Sequence, residues 1–176
     1  MRGSRDIPLA LIVAATTVFG IPARADGPGA CTTAPTFDAV LSALAGEGWS
    51  PIDTPTDAQA DTLAWALSAS YLAGDTGGET PDAIHALQRR AVPGLARKVD
   101  TDTTRTRLLA DGAGGAMILT QTRTMPDRVE RTCQIAAGSP FPNAPSGMLA
   151  FDASAIPDAP RTLIVTHTVL TEEVSE

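Results

Sequence analysis

The segment from Gly115 to Ala137 constrains the fold more than any other part of the chain. Residues 116–123 and 128–136 form two runs rich in strand-forming residues, a Met-Pro-Asp turn separates them, and apolar and polar residues largely alternate in the second run. A period of two is typical of half-buried strands, and Pro-Asp favours a turn. We therefore predict an antiparallel hairpin. With two central residues in the turn, the predicted partners are Ile118 with Ile135, Thr120 with Cys133, and Arg123 with Glu130, and a one-residue bulge would shift all three pairs.

Three helices are predicted before the first strand. Residues 37, 40, 41 and 44 are apolar, which predicts a helix that Thr36 caps and that ends at Gly46. A second helix is predicted to begin at Thr54-Pro55, with Thr54 as the N-cap and Asp57 in the place of a capping-box acid, and to end at Gly74. The sequence Thr80-Pro81 predicts the start of a third helix, which Val92-Pro93-Gly94 stops or kinks.

The remaining chain predicts strands. Besides the hairpin, the period changes to two from Thr103, which predicts a strand over residues 103–110. The Thr- and Val-rich residues 161–171 predict another, and residues 148–151 form a short apolar run between prolines. Helices come first in the sequence and strands follow. This order predicts an α+β fold with about three N-terminal helices packed on a C-terminal antiparallel sheet of four to five strands. About 150 residues, 26–176, fit a single domain.

The N-terminus has the three parts of a secretory signal peptide. Arg2 and Arg5 precede an apolar run from Ile7 to Phe19, which is short for a membrane span, and Ala23-Arg24-Ala25 supplies a small-residue cleavage site. A buried N-terminal helix is the alternative, but the run is not amphipathic. We therefore predict a signal peptide over residues 1–25, cleaved near Ala25. The mature chain is expected to be periplasmic or secreted and to lack a transmembrane segment.

Two cysteines, Cys31 and Cys133, agree with export. In an oxidising compartment, two cysteines most simply form one disulfide. Lipidation of Cys31 is an alternative, although Pro28-Gly29-Ala30 is a poor lipoprotein signal, and a free thiol pair is another. Neither cysteine has a His or Cys nearby, so no metal site is predicted.

Charge is distributed unevenly. The chain has a net charge of −7, and without the predicted signal peptide it carries −9. Residues 26–88 contain nine acids and no Lys or Arg, whereas residues 89–161 contain ten basic residues and seven acids. This pattern favours acidic helices covering a basic sheet, with an anion-binding basic patch as the alternative. An acidic chain without a basic, aromatic-interleaved stripe is not expected to bind nucleic acid.

Arginines form the one cluster that suggests a site. Arg105 and Arg107 alternate on one predicted strand, and Arg123, Arg128 and Arg131 bracket the hairpin. Of these five, Arg105, Arg107, Arg123 and Arg131 are the predicted ligand residues. If these strands are neighbours, the guanidinium groups converge on an anionic small molecule or an acidic envelope protein. The alternative is that they pair across strands. The acids expected in that case are Glu130, Asp102 and Asp127.

Motifs for catalysis are weak. Asp75-Thr76-Gly77 resembles an aspartic protease triplet, but no second copy or preceding apolar strand accompanies it. His85 with Asp82 reads as a surface pair, and His167 as a half-buried histidine on the strand face of Val165 and Val169. We predict no catalytic residue, metal or cofactor.

Three hypotheses about function follow. The first is a non-enzymatic ligand- or partner-binding protein, which the arginine cluster favours. The second is a hydrolase-type enzyme that uses His167 or His85. The third is an accessory subunit of a cell-envelope complex, with the acidic helical half as its contact surface.

Overall fold

A computed structural model of the chain describes residues 29–74, 77–138 and 148–171. The predicted signal peptide and its cleavage site, and Asp75 and Thr76 of the protease-like triplet, lie outside these residues. The elements in chain order are α1 (Ala30–Thr33), α2 (Phe37–Gly46), β1 (Trp49–Pro51), α3 (Asp57–Leu72), α4 (Pro81–Ala96), β2 (Thr104–Asp111), β3 (Ala116–Met125), β4 (Arg128–Ala137), β5 (Met148–Asp152) and β6 (Thr162–Thr171). None of the helices in these residues is long and apolar enough to cross a membrane.

The strands form one antiparallel sheet in the order β1-β2-β3-β4-β6-β5. The predicted α+β class with N-terminal helices on an antiparallel sheet is confirmed. The sheet has six strands rather than four to five, because β1 pairs with the edge of β2, Trp49 opposite Asp111. A strand of three residues is too short to produce a recognisable alternation in the sequence.

Helices cover both faces of the sheet. On one face, here called the α2 face, α1 and α2 enclose a core with Leu109, Met117, Leu119 and Ile135. On the opposite α3 face, α3 and α4 pack over a second core. Its buried sheet residues are Leu108, Ala116, Ile118, Ala136 and Leu163. The strands therefore present apolar side chains on both faces over this part of the sheet.

The β3–β4 hairpin has the predicted turn but a different register. Met125 pairs with Arg128 across the turn, and then Arg123 pairs with Val129, so Thr124 is an extra residue between the two pairs. The predicted partners are wrong because this irregularity shifts every later pair by one residue. Ile118 lies opposite Gln134, Leu119 opposite Cys133, and Thr122 opposite Glu130. The shift also places Arg131 on the same face as Arg123, whereas the predicted register would separate them.

Helix starts follow side-chain capping. Thr36 and Thr80 are the N-caps of α2 and α4, as predicted, and each accepts a hydrogen bond from the third residue of its helix. The predicted cap Thr54 is wrong. Thr56 caps α3 instead, because its side chain and that of Gln59 form a reciprocal capping box. Helix α4 continues past Pro93 to Ala96.

A disulfide joins Cys31 of α1 to Cys133 of β4, as predicted. Both residues are fully buried in the core of the α2 face. The bond occupies the thiol of Cys31 that lipidation would require, and the described residues contain no free cysteine. The disulfide therefore fixes the N-terminal helical layer covalently to the middle of the sheet.

Candidate anion-binding groove

All four predicted arginines project from the α2 face of the sheet. Gln121 of β3 lies opposite Arg105 of β2 and also opposite Arg131 of β4. Arg107 and Arg123 lie two residues from Arg105 and Gln121, and therefore on the same face. The bulge at Thr124 is the reason that the arginines of the hairpin share this face.

A groove of about 210 Å³ lies where the N-terminus of α2 meets strands β2, β3 and β4. Arg105, Gln121 and Arg123 line it from the sheet. Thr36, the N-cap of α2, and Asp102 lie in its wall. Of the four predicted arginines, Arg105 and Arg123 line the groove, and Arg107 and Arg131 lie beside or beneath it.

Arg105 is held in a fixed position by α2. Its Nη1 and Nη2 donate to the two carboxylate oxygens of Asp38, at 3.3 and 2.8 Å. The guanidinium lies 4.3 Å from the centroid of the Phe37 ring, within the range of a cation–π contact. Bidentate pairing and stacking both restrict the side chain. Arg105 is therefore presented to the groove in a defined orientation.

Arg107 forms a second bidentate pair with a loop acid. Its Nη1 and Nη2 each donate to Asp100 at 2.7 Å, and the backbone N–H of Thr106 donates to the same carboxylate at 3.3 Å. These hydrogen bonds, led by that of Arg107, lower the pKa of Asp100, and the hydrogen bond from Arg105 lowers the pKa of Asp38. Both acids therefore stay ionised when the pH falls moderately.

Arg131 is fully buried beneath the groove. Its Nε and Nη2 donate to Oε1 of Gln121 at 3.2 and 3.1 Å, and its Nη1 donates to the backbone oxygen of Ala34 at 2.6 Å. Burial lowers the pKa of Arg131. A guanidinium has only donors, so the carbonyl of Gln121 must face it. The amide nitrogen of Gln121 is then available to donate a hydrogen bond into the groove.

Arg123 completes the sheet side of the groove. It is exposed, and its Nη1 donates to the backbone oxygen of Pro126 in the hairpin turn at 3.2 Å. The positive groups thus lie on β2 and β3, with the amide of Gln121 between them. This arrangement supplies several hydrogen-bond donors on one wall, which suits an oxyanion.

Arg105 and Arg107 each pair with an acid, but neither pair joins two strands, and none of the three predicted acids takes part. Their partners are Asp38 and Asp100. Arg105 and Asp38 are 67 residues apart in the sequence. Asp38 belongs to the acidic N-terminal half, so this pair is one instance of the predicted complementarity between acidic helices and a basic sheet.

Glu130 belongs to a different cluster. It lies on the α3 face, where it accepts from Arg128 at 3.0 Å, and its carboxylate lies 3.5 Å from Nε2 of His167. His167 shares the strand face of Val165 and Val169, as predicted. Its side chain is 56% exposed, however, rather than half-buried by neighbours. Glu130 therefore pairs with Arg128 of the predicted cluster, whereas the sheet separates it from Arg105 and Arg107.

His85 lies on α4 and contacts α3. Its Nε2 is 3.3 Å from Oδ1 of Asp61, and its ring stacks on Trp65 with 4.2 Å between centroids. The predicted pairing with Asp82 is therefore replaced by a contact between helices. No group of three or more His, Cys, Asp or Glu in the described residues could hold a metal ion.

Three residues of the site escaped prediction from the sequence: Gln121, Asp38 and Asp100. A signal for Gln121 exists, since it lies two residues before Arg123 and so must share its face. The acids carry no such signal, because their positions depend on how α2 and the loop before β2 pack. Comparisons with protein-family models, with curated proteins and with solved structures found no match to this chain.

Proposed function

We propose that this chain is a non-enzymatic binding protein that holds a small carboxylate- or phosphate-bearing anion in the groove on the α2 face. The observation that carries the proposal is the arrangement around Gln121. Arg131 fixes its carbonyl oxygen from below, which leaves its amide nitrogen as a donor between Arg105 and Arg123. Preorganised donors bind an anion with little loss of side-chain freedom.

The pair between Arg105 and Asp38 supports the same chemistry. Asp38 presents a carboxylate to two guanidinium nitrogens, which is the geometry that a ligand carboxylate would adopt. The side chain of Asp38 is 75% exposed, so the pair is accessible to solvent. In our proposal the ligand binds beside this pair and competes with Asp38 for Arg105.

The experiment measures binding of succinate and inorganic phosphate by calorimetry at low salt. Arg105→Gln and Arg123→Gln should each weaken binding about fivefold, as expected for solvent-accessible ion pairs. Asp38→Asn should strengthen binding, because it removes the competing carboxylate. Arg90→Gln on the exposed face of α4 makes the same charge change away from the groove and should leave affinity unchanged.

Two results would contradict this function. One is equal affinity in the wild type and in a variant that lacks both Arg105 and Arg123. The other is weaker binding in Asp38→Asn, which would mean that Asp38 supports the ligand rather than competes with it. Raising the salt concentration should weaken binding to the wild type, because the groove is solvent-accessible.

The location that we propose is the periplasm or the exterior of the cell. The disulfide supports this, since such bonds persist mainly in oxidising compartments. N-terminal sequencing of the protein recovered from cells tests the proposed cleavage, and a mature chain beginning near Asp26 is expected. Recovery of a full-length chain with reduced cysteines would contradict export.

The two alternative functions stay predictions. For the enzyme, the supporting contact is that of His167 with Glu130. Retained biological activity in a variant lacking both His85 and His167 would exclude it. For the accessory subunit, co-purification from the cell envelope is the test.

A further inference from the structure

The groove on the α2 face carries a negative charge beside its hydrogen-bond donors. Asp102 is the one acid among the described residues that line the groove, and Arg105 and Arg123 are the basic ones. A carboxylate at this place repels a ligand that has only negative charge and attracts a positive group. The electrostatics of the groove therefore favour a ligand that carries charges of both signs.

Asp102 differs from the other acids near the groove in having no partner. Asp38 pairs with Arg105, and Asp100 pairs with Arg107. Asp102 is exposed, and its carboxylate makes no hydrogen bond or ion pair within residues 29–74, 77–138 and 148–171. Its oxygens can therefore accept hydrogen bonds from a ligand without breaking a contact of the protein.

The loop that carries Asp102 is fixed against the edge of the sheet. The N–H of Thr104 donates to the hydroxyl of Thr101 at 3.0 Å, and the N–H of Thr101 donates to Thr104 O at 2.9 Å. Asp100 accepts from the N–H of Thr106 at 3.3 Å. Hydrogen bonds to β2 thus hold the chain on both sides of Asp102, so a ligand binds this carboxylate with little ordering of the backbone.

A ligand carboxylate finds its donors on the sheet and at the start of α2. Gln121 and Arg105 line the groove from the sheet. Helix α2 begins at Phe37, which also lines the groove, and the positive end of the helix dipole adds to the attraction. Asp38 already offsets the charge of Arg105 in part. The groove therefore suits a single carboxylate better than a phosphate dianion.

The size of the groove limits the ligand. Its volume of about 210 Å³ is below the roughly 300–1,000 Å³ that is usual for sites of drug-sized ligands. Phe37 and Val129, the apolar residues that line it, are 1% and 2% exposed, so they offer little surface to an apolar side chain. The buried ring of Phe37 also cannot form the open aromatic cage that a quaternary ammonium requires. The groove therefore suits a short molecule with a primary ammonium.

We infer that the groove binds a small zwitterion that carries a primary ammonium and a carboxylate, of the size and chemistry of an amino acid with a short side chain. The inference rests on the proposed function and specifies its ligand. The carboxylate accepts hydrogen bonds from Gln121 and Arg105, and the ammonium donates to Asp102. Asp102 thus sets the preference for a zwitterion over an anion.

The probes are L-alanine, L-lactate, in which a hydroxyl replaces the ammonium, and L-alaninamide, in which an amide replaces the carboxylate. Each is titrated at low salt into isotope-labelled protein, and the NMR shifts of the Thr103 and Gln121 amides report binding. Alanine should bind about fivefold more tightly than lactate or alaninamide, as expected for one solvent-accessible ion pair. Asp102→Asn should weaken the binding of alanine about fivefold and should not weaken that of lactate.

The matched control is Asp82→Asn, the same change on α4, which packs on the opposite face of the sheet. It should bind alanine as the wild type does. Equal affinities of the wild type for alanine and lactate, with no effect of Asp102→Asn, would overturn the inference, and weaker binding of both ligands to Arg105→Gln would then still support the anion site. If alanine, lactate and succinate all fail to bind, the proposed function is refuted and this inference with it.

Discussion

Replacing both cysteines by alanine tests how the disulfide stabilises this fold. Cys31 and Cys133 are 102 residues apart in the sequence. In the chain-entropy description, cross-linking a loop of this length stabilises the folded state by about 4.7 kcal/mol at 25 °C, through a restricted unfolded state. This is a large part of the roughly 5–15 kcal/mol that is usual for a domain.

Noncovalent contacts also hold α1, and the residue that follows it, against the sheet. Arg131 donates to Ala34 O at 2.6 Å, and the hydroxyl of Thr168 donates to Cys31 O at 3.5 Å. These contacts lie on either side of the disulfide and should keep α1 near the sheet in the variant. We therefore expect the double variant to fold, with a stability lower by about 4 kcal/mol and a melting temperature lower by roughly 10–15 °C.

Urea unfolding followed by circular dichroism measures the effect. The unfolding midpoint should fall, and the slope of free energy against urea should rise, because the unfolded chain without its cross-link exposes more surface. Wild-type protein unfolded in a reducing agent should behave as the double variant does. If the double variant loses less than about 1 kcal/mol of unfolding free energy and the urea slope is unchanged, the chain-entropy account is refuted. If the loss is large but the slope is unchanged, the disulfide stabilises the protein through native contacts instead.

Three further predictions concern stability. Thr56→Ala removes the capping box with Gln59 and should lower the free energy of unfolding by about 1 kcal/mol in urea titrations. An unchanged free energy of unfolding would mean that water replaces the hydrogen bonds of the cap. Asp100→Asn should flatten the acid limb of a plot of melting temperature against pH. The pKa of Asp100 is lowered from its usual 3.8 in the folded protein. The contribution of Asp100 to the stability is therefore complete above pH 3.8 and is lost as the pH falls through the folded-state pKa. An unchanged acid limb would contradict this coupling. Gly114→Ala should lower the free energy of unfolding in urea by about 1 kcal/mol. Gly114 has φ at 88° and an added Cβ meets no atom within 4 Å, so the loss comes from backbone strain alone. A variant as stable as the wild type would contradict this account.

Helix starts were predictable where one capping signal stood alone. Thr80-Pro81 predicted the start of α4, and Thr36 predicted that of α2. Thr54-Pro55, with Asp57 at the capping-box position, has the same form but gave the wrong start for α3, where the reciprocal hydrogen bonds are those of Thr56 and Gln59. Competing caps within two residues have to be weighed by their full set of hydrogen bonds.

The register of the hairpin and the partners of the arginines were not predictable in the same way. Alternation predicted which residues of one strand share a face, and this held for Arg105 and Arg107. It could not predict the extra residue at Thr124, which decides the face of Arg131 relative to Arg123. The pair of Arg105 with Asp38 depends on how α2 packs on the sheet, and so arises only from tertiary structure.

The layer formed by α1 and α2 has a consequence for the order of folding. Strands β2, β3 and β4 are joined by short turns, so their contacts are local and close quickly. The N-terminal layer instead depends on distant partners, with 137 residues separating Cys31 from Thr168. We expect the sheet and α3 to assemble first and this layer to dock last. Since Thr36 at the start of α2 forms part of the wall of the groove, the anion site should appear only in that final step.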